Sequence, residues 1–188
     1  EPAFNVLRTE EQLGYIVFTQ VKTSADHIKS LMLLIQSDSY DPVHMNERIE
    51  AFLVTFRTHL LNMSEPDFQT NVNGLCESLL ERNKNLGEES SKHWSVITNQ
   101  TYHFTRLADI ASHVRTLDKF DALCLLDRYI LAESPYRRKL SVQLFGTNHH
   151  HSMMDDAPPN DEECVIIDNP DVFARTSSLF PAPEQVDL

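Results

Sequence analysis

The chain has 188 residues, 41% of them hydrophobic, and carries 28 acidic against 16 basic side chains for a net charge of −12. That length suffices for one ordinary domain with a real core, and the acidic balance argues against a general nucleic-acid binder, which needs a basic surface. The longest apolar run, Leu31 to Ile35, is strand-sized and far short of the ~18 residues of a membrane span, so no membrane partner is expected. The acidic surplus serves solubility and would also draw basic peptides. Cys76, Cys124 and Cys164 are odd in number, widely spaced and form no Cys-x-x-Cys, so reduced thiols in a cytoplasmic protein are expected rather than a disulfide framework.

The pattern opens with EPAFNVLRTEEQLGYIVF, Glu1 to Phe18. Phe4, Leu7 and, weakly, Glu11 fall at helical spacing, and Val6 and Leu13 widen the apolar side. Gly14 is placed to end this helix through the left-handed conformation that glycine adopts without steric penalty. Tyr15 to Phe18 is aromatic and β-branched and reads as the start of a buried strand running to about Val21. Lys22 to Lys29 is turn-like, and Ser30 to Gln36 is a second strand, the two forming an antiparallel hairpin. Asp41 and Pro42 then begin a helix as N-cap and first helical residue. Its buried stripe is Ile49, Leu53, Phe56, Leu60 and Met63.

Ser64-Glu65-Pro66-Asp67 is a second helix start, close to a capping box, with Phe68, Val72, Leu75 and Leu79 as its stripe. Asn83 to Gly87 breaks it. Glu88 to Thr101 reads as a third helix carrying Trp94 and Ile97, and residues 105–114 as a short fourth. Leu117-Asp118 opens a fifth with Phe120, Leu123, Leu126 and Ile130 inside. Lys139 to Phe145 alternates as a strand, ended by Gly146. From Thr147 the pattern loses periodicity, with His149 to His151, two Met, Pro158-Pro159 and a run of acids. Cys164 to Ile167 reads as a short strand and Asp168 to Phe173 as a turn of helix.

The expected fold class is α+β, a two-layer arrangement of an antiparallel sheet with helices packed on one face. The expected organisation is a domain over 1–146, an exposed linker over 147–163 and an extension over 164–188 that packs back on the domain. With three visible strands, the sheet is expected to gain others from residues before Glu1. An open edge would otherwise invite pairing with another chain, as in a homodimer.

The first unit resembles the M16 family of zinc metallopeptidases in its insulysin-like branch. The family's pattern Phe-Asn-x-Leu-Arg-Thr-x-x-Gln-Leu-Gly-Tyr-x-Val is matched by Phe4, Asn5, Leu7, Arg8, Thr9, Gln12, Leu13, Gly14, Tyr15 and Val17. Weaker likenesses follow at Lys92-His93-Trp94, at Pro135-Tyr136-Arg137-Arg138 and at Ser178-Leu179-Phe180-Pro181, so the resemblance covers nearly the whole chain. It implies the C-terminal domain of a longer peptidase, with peptide substrates and the N-terminal catalytic half of the same protein as partners. The lack of an initial Met or a signal-peptide pattern fits a fragment.

The family's zinc motif, His-x-x-Glu-His, is absent from this chain. The nearest approach, His44-Met45-Asn46-Glu47-Arg48, ends in a cation with no lone pair to give. His-Glu-x-x-His, a Gly-x-Ser-x-Gly elbow and a phosphate-binding loop are absent too. His149 to His151 reads as solvated linker sooner than as a ligand set, and Cys76 and Cys124 as small core residues sooner than nucleophiles. Zinc is therefore expected in the full-length enzyme, with ligands outside this chain and none bound by the fragment, which alone should be inactive.

Arg8 and Tyr15 remain as candidate catalytic residues. Taken alone, Arg8 reads sooner as a helix-surface salt bridge with Glu11 or Glu1, and Tyr15 as a half-buried strand aromatic. The resemblance implies that both reach the zinc site of the opposite half. There the tyrosine would donate to the substrate oxygen as it becomes an oxyanion, and the arginine would hold substrate backbone and orient the tyrosine. A phenol is protonated at neutral pH and a good donor to developing charge, and arginine offers a rigid fork of donors. The runner-up is a non-catalytic scaffold or peptide-binding module on the same fold. An intact or degenerate zinc motif in the other half would discriminate the two.

Overall fold

The computed structural model describes residues 2–23, 28–147, 167 and 169–177. Two strands, β1 (Ile16–Thr23) and β2 (Lys29–Gln36), pair antiparallel in a register running from Ile16 opposite Gln36 to Thr23 opposite Lys29. Before them stands a π-helix, Phe4–Glu10. After them come α1 (Pro42–Asn62), α2 (Glu65–Leu79), α3 (Leu86–Thr98), α4 (Arg106–Val114), α5 (Lys119–Tyr129) and α6 (Pro170–Thr176). The fold class is α+β with an antiparallel sheet. The described residues fall into two compact units whose boundary lies within α1: those up to Phe52 with those from Leu140 onward, and Leu53–Lys139.

Local chemistry sets the helix starts. The Asp41 carboxylate accepts the His44 amide hydrogen at 2.9 Å, and Pro42 begins α1 where no amide hydrogen is missed. Ser64 accepts from the Asp67 amide and donates to its carboxylate, and Asn85 accepts from Glu88. Asp118 and Asp121 complete a reciprocal capping box at 2.9 and 3.0 Å. The Asn169 side chain accepts from the amides of Asp171 and Val172 at the head of α6. At the other end of α1, the Lys119 ammonium donates to the carbonyls of Leu61 and Met63 at 3.0 and 2.9 Å, satisfying carbonyls that the helix end leaves open.

The core of the second unit is built from Leu60, Phe68, Val72, Cys76, Ala111 and Leu123. Ala111 is fully buried, and its carbonyl accepts from the Cys76 thiol at 3.5 Å. The small side chain at 111 lets α4 lie close on α2. In the first unit Ala3, Leu7, Leu13 and Val17 are buried, Leu7 completely.

Several expectations are corrected. The stripe of α2 runs Phe68, Val72, Cys76, two successive i+4 steps, and Leu75 is half exposed. Cys124 and Phe120 face outward on α5, while Leu123 and Leu126 face in. The third helix carries no buried residue, and Trp94 is 64% exposed. β1 buries only Val17. Residues 139–145 form no strand among the described residues. Leu140, Val142 and Leu144 alternate with polar residues in the sequence, but they stand exposed along with Ser141 and Gln143, and a strand also needs a hydrogen-bonding neighbour. The proposed linker 147–163 lies outside the described residues except for Thr147, as does the strand proposed at Cys164 to Ile167 except for Ile167. No helix among the described residues is long and apolar enough to cross a membrane.

Candidate functional site

The π-helix and the turn into β1 carry both sequence-derived candidates. The helix winds wider than the α form: the Glu11 amide donates to the Val6 carbonyl at 2.9 Å, five residues back, and the Leu13 amide to the Leu7 carbonyl at 3.0 Å. Such windings are rare and concentrate at functional sites. The chain then leaves the helix at Gln12, whose φ of 53° lies in the left-handed region. Gly14 does not supply the left-handed residue, as no glycine in the described residues has positive φ. Its role is close approach. A Cβ at Gly14 would lie 2.2 Å from the Gln36 carbonyl oxygen and 3.3 Å from the Ile35 side chain. The first strand can therefore begin beside the end of the second only if residue 14 has no side chain.

These constraints bring Arg8 and Tyr15 together. The Arg8 guanidinium carbon lies 5.6 Å from the centre of the Tyr15 ring and 4.7 Å from that of Phe4. Both distances fall in the range of cation–π attraction. Tyr15 stands at the bend before β1, 82% exposed rather than half buried in a strand. Arg8 is half-buried, with its guanidinium near the rings of both Phe4 and Tyr15. The result is a cation and a phenol on one surface, both able to donate hydrogen bonds outward.

Glu11 does not pair with Arg8. Its carboxylate takes a two-point fork from Arg48 of α1, Nε to Oε2 at 2.8 Å and Nη2 to Oε1 at 2.7 Å. The hydrogen bond from Arg48 holds the Glu11 carboxyl below the ordinary carboxylate range, with the charge of Arg48 and of His44 acting the same way against partial burial. Glu11 raises the Arg48 value in turn. This pair was not legible as a site feature, because its members lie 37 residues apart and share no local pattern. Phe4 was read as an apolar helix position and as part of the family pattern, and its ring as a support for Arg8 was likewise missed.

A second fork joins Arg57 and Asp127 at 2.6 and 2.8 Å, and His103, Thr105 and Asp109 form an exposed cluster at 2.7 and 2.9 Å. Neither lies near Arg8 in the sequence or in the same compact unit. Zinc does not fit this chain's described residues. No three His, Cys, Asp or Glu side chains gather among them, and Arg48, which ends the nearest approach to the family motif, gives its guanidinium to Glu11. His149 to His151 lie outside the described residues.

Comparison with known proteins decides the family. Residues 1–94 match the family described as PQQ synthase PqqF-like, C-terminal lobe domain 4. The chain belongs to the M16 family, in its C-terminal domain. Human insulin-degrading enzyme is 37% identical over 144 residues, 77% of this chain and 14% of the human protein. The A-factor-processing enzyme of Saccharomyces cerevisiae is 33% identical over 189 aligned residues, 97% of this chain and 17% of the yeast protein. Among solved structures, pitrilysin superposes with a TM-score of 0.60 at 28% identity, over 66% of this chain and 13% of pitrilysin. The M16 domain described here thus spans about a sixth or less of the length of these relatives. The matched family segment contains the π-helix, the hairpin and α1, and so holds Arg8, Tyr15, Glu11 and Arg48 together.

Proposed function

We propose that this chain is the C-terminal, non-zinc-binding part of an insulysin-like zinc metalloendopeptidase that degrades peptides. In this reading it helps enclose a peptide and supplies Arg8 and Tyr15 to an active site completed by the N-terminal half of the same protein. The zinc would be held by residues outside this chain, and the chain alone neither holds it nor turns over peptide. The observation that carries the reading is the placement of Arg8 5.6 Å from the ring of the exposed Tyr15, on a π-wound turn.

Each group has work suited to its chemistry. The Tyr15 hydroxyl donates to the oxygen of the scissile carbonyl as that oxygen gains negative charge. A donor fixed in advance stabilises the transition state more than the substrate, which is the condition for faster chemistry. The Arg8 fork donates to substrate backbone carbonyls, with permanent charge and fixed geometry. Tyr15 is exposed and Arg8 half-buried in this chain, so their full effect requires the opposite half to close over them and exclude solvent.

The test is an Arg8 series in the full-length protein. Arg8→Ala is expected to raise KM and lower kcat, because ground-state binding and orientation are both lost. Arg8→Lys should recover only part, since a point charge lacks the fork. Wild-type KM and kcat in a folded Arg8→Ala protein would leave the chain as a scaffold or peptide-binding wall.

A further inference from the structure

We propose that the Glu11–Arg48 fork is a positioning device for peptide hydrolysis: it pins the turn that joins Arg8 to Tyr15 onto α1, and so fixes where the two groups meet the substrate. The inference rests on the functional reading above and adds two residues that do not touch substrate.

The stretch between Arg8 and Tyr15 combines a π-winding with a non-glycine residue in the left-handed region, Gln12 at φ 53°. Conformations of this kind persist only where the surroundings over-determine them. Three anchors do so. Leu13 is buried and donates its amide hydrogen to Leu7. Gly14 sits against the Gln36 carbonyl of β2. Glu11 is held by Arg48 through two short, parallel hydrogen bonds. The first anchor is internal to the segment and the second ties it to the sheet. The third alone of these ties it to α1. Glu11 also stands at the point where the helix ends, three residues after Arg8 and four before Tyr15.

The pair differs from an ordinary surface contact. The Glu11 side chain is 21% exposed and that of Arg48 40%, and both Glu11 oxygens are engaged. A planar fork on a planar carboxylate admits one relative orientation, which a single point contact does not. With the fork lost, Gln12 can relax from its left-handed conformation and the Arg8–Tyr15 spacing is no longer fixed. Misplacement of a catalytic group by about 1 Å is enough to cost on the order of 10²-fold in rate.

The experiment compares four variants of the full-length protein by steady-state kinetics and thermal denaturation: Glu11→Gln, Arg48→Lys, the exchange Glu11→Arg with Arg48→Glu, and Tyr15→Phe as reference. Glu11→Gln is expected to lower kcat about 10-fold or more with KM close to wild type. Arg48→Lys should lose less, and the exchange should recover most of the rate by restoring the pair. A purely structural role would lower the melting temperature and leave kcat of the folded protein unchanged. That result, or a rate loss the exchange fails to recover, overturns the proposal while a slow Tyr15→Phe keeps the functional reading intact. A Tyr15→Phe protein with wild-type kcat overturns both.

Discussion

Gly14 and Gln36 approach so closely that a side-chain carbon on the first would stand 2.2 Å from the carbonyl oxygen of the second. The neighbour is backbone inside a paired strand, which cannot swing away as a flexible side chain would. Gly14→Ala is therefore expected to cost about 1–3 kcal/mol, the range of overpacking in well-packed sites. Denaturant titration of the chain checks this. Gly74, where added volume would meet nothing within 4 Å, supplies the control: Gly74→Ala lies within α2 and should stabilise by about 0.5–1 kcal/mol through helix propensity.

The two arginine forks make stability depend on pH with a defined sign. Arg48 lowers the folded-state value of Glu11 below its ordinary 4.5, and Arg57 lowers that of Asp127 below its ordinary 3.8. A depressed carboxylate contributes stability above its unfolded value, and that contribution is lost as pH falls through the folded value. The melting temperature of Glu11→Gln should thus lie below wild type at neutral pH, with a gap that closes as the pH drops below about 4.5. Asp127→Asn should follow the same course at slightly lower pH. A gap that stays constant through the acid range would mean that neither fork contributes through its charge.

The thiols should separate by reactivity. Cys76 is 1% exposed in the core of the second unit and Cys124 is exposed on α5. Pulse alkylation followed by peptide mass mapping is expected to modify Cys124 in the native protein and Cys76 only on unfolding. Equal rates at the two positions would contradict the assigned faces of α2 and α5.

Much of the fold was legible because it is written locally. Asp41-Pro42, Ser64 to Asp67 and Asp118 announce helix starts through side chains that reach their own backbone, and the hairpin strands were placed to within about two residues. What failed depended on distant partners. Leu75 and Cys76 are adjacent, and only the position of α4 decides that the small Cys76 faces the core. Residues 139–145 alternate as a strand does, yet alternation cannot supply the neighbour a strand requires. The site divides the same way. Arg8, Gly14 and Tyr15 were legible as candidates because they stand in one contiguous motif. The clamp by Arg48 arises from a meeting of α1 with the helix end, and Gly14 was assigned the right importance for the wrong reason, since Gln12 takes the left-handed turn.

The central claim is that Tyr15 acts on the substrate of a peptidase. Tyr15→Phe removes one hydroxyl from a side chain that is 82% exposed, so folding is untouched. The most direct measurement is steady-state hydrolysis of one peptide by wild-type and Tyr15→Phe full-length protein, with zinc content determined on the same preparations. The expected result is a fall in kcat and kcat/KM together by about 10²–10³, the loss typical of one oxyanion donor, with KM and metal content little changed. Wild-type kcat at normal zinc content would contradict the account and remove Tyr15 from the chemistry.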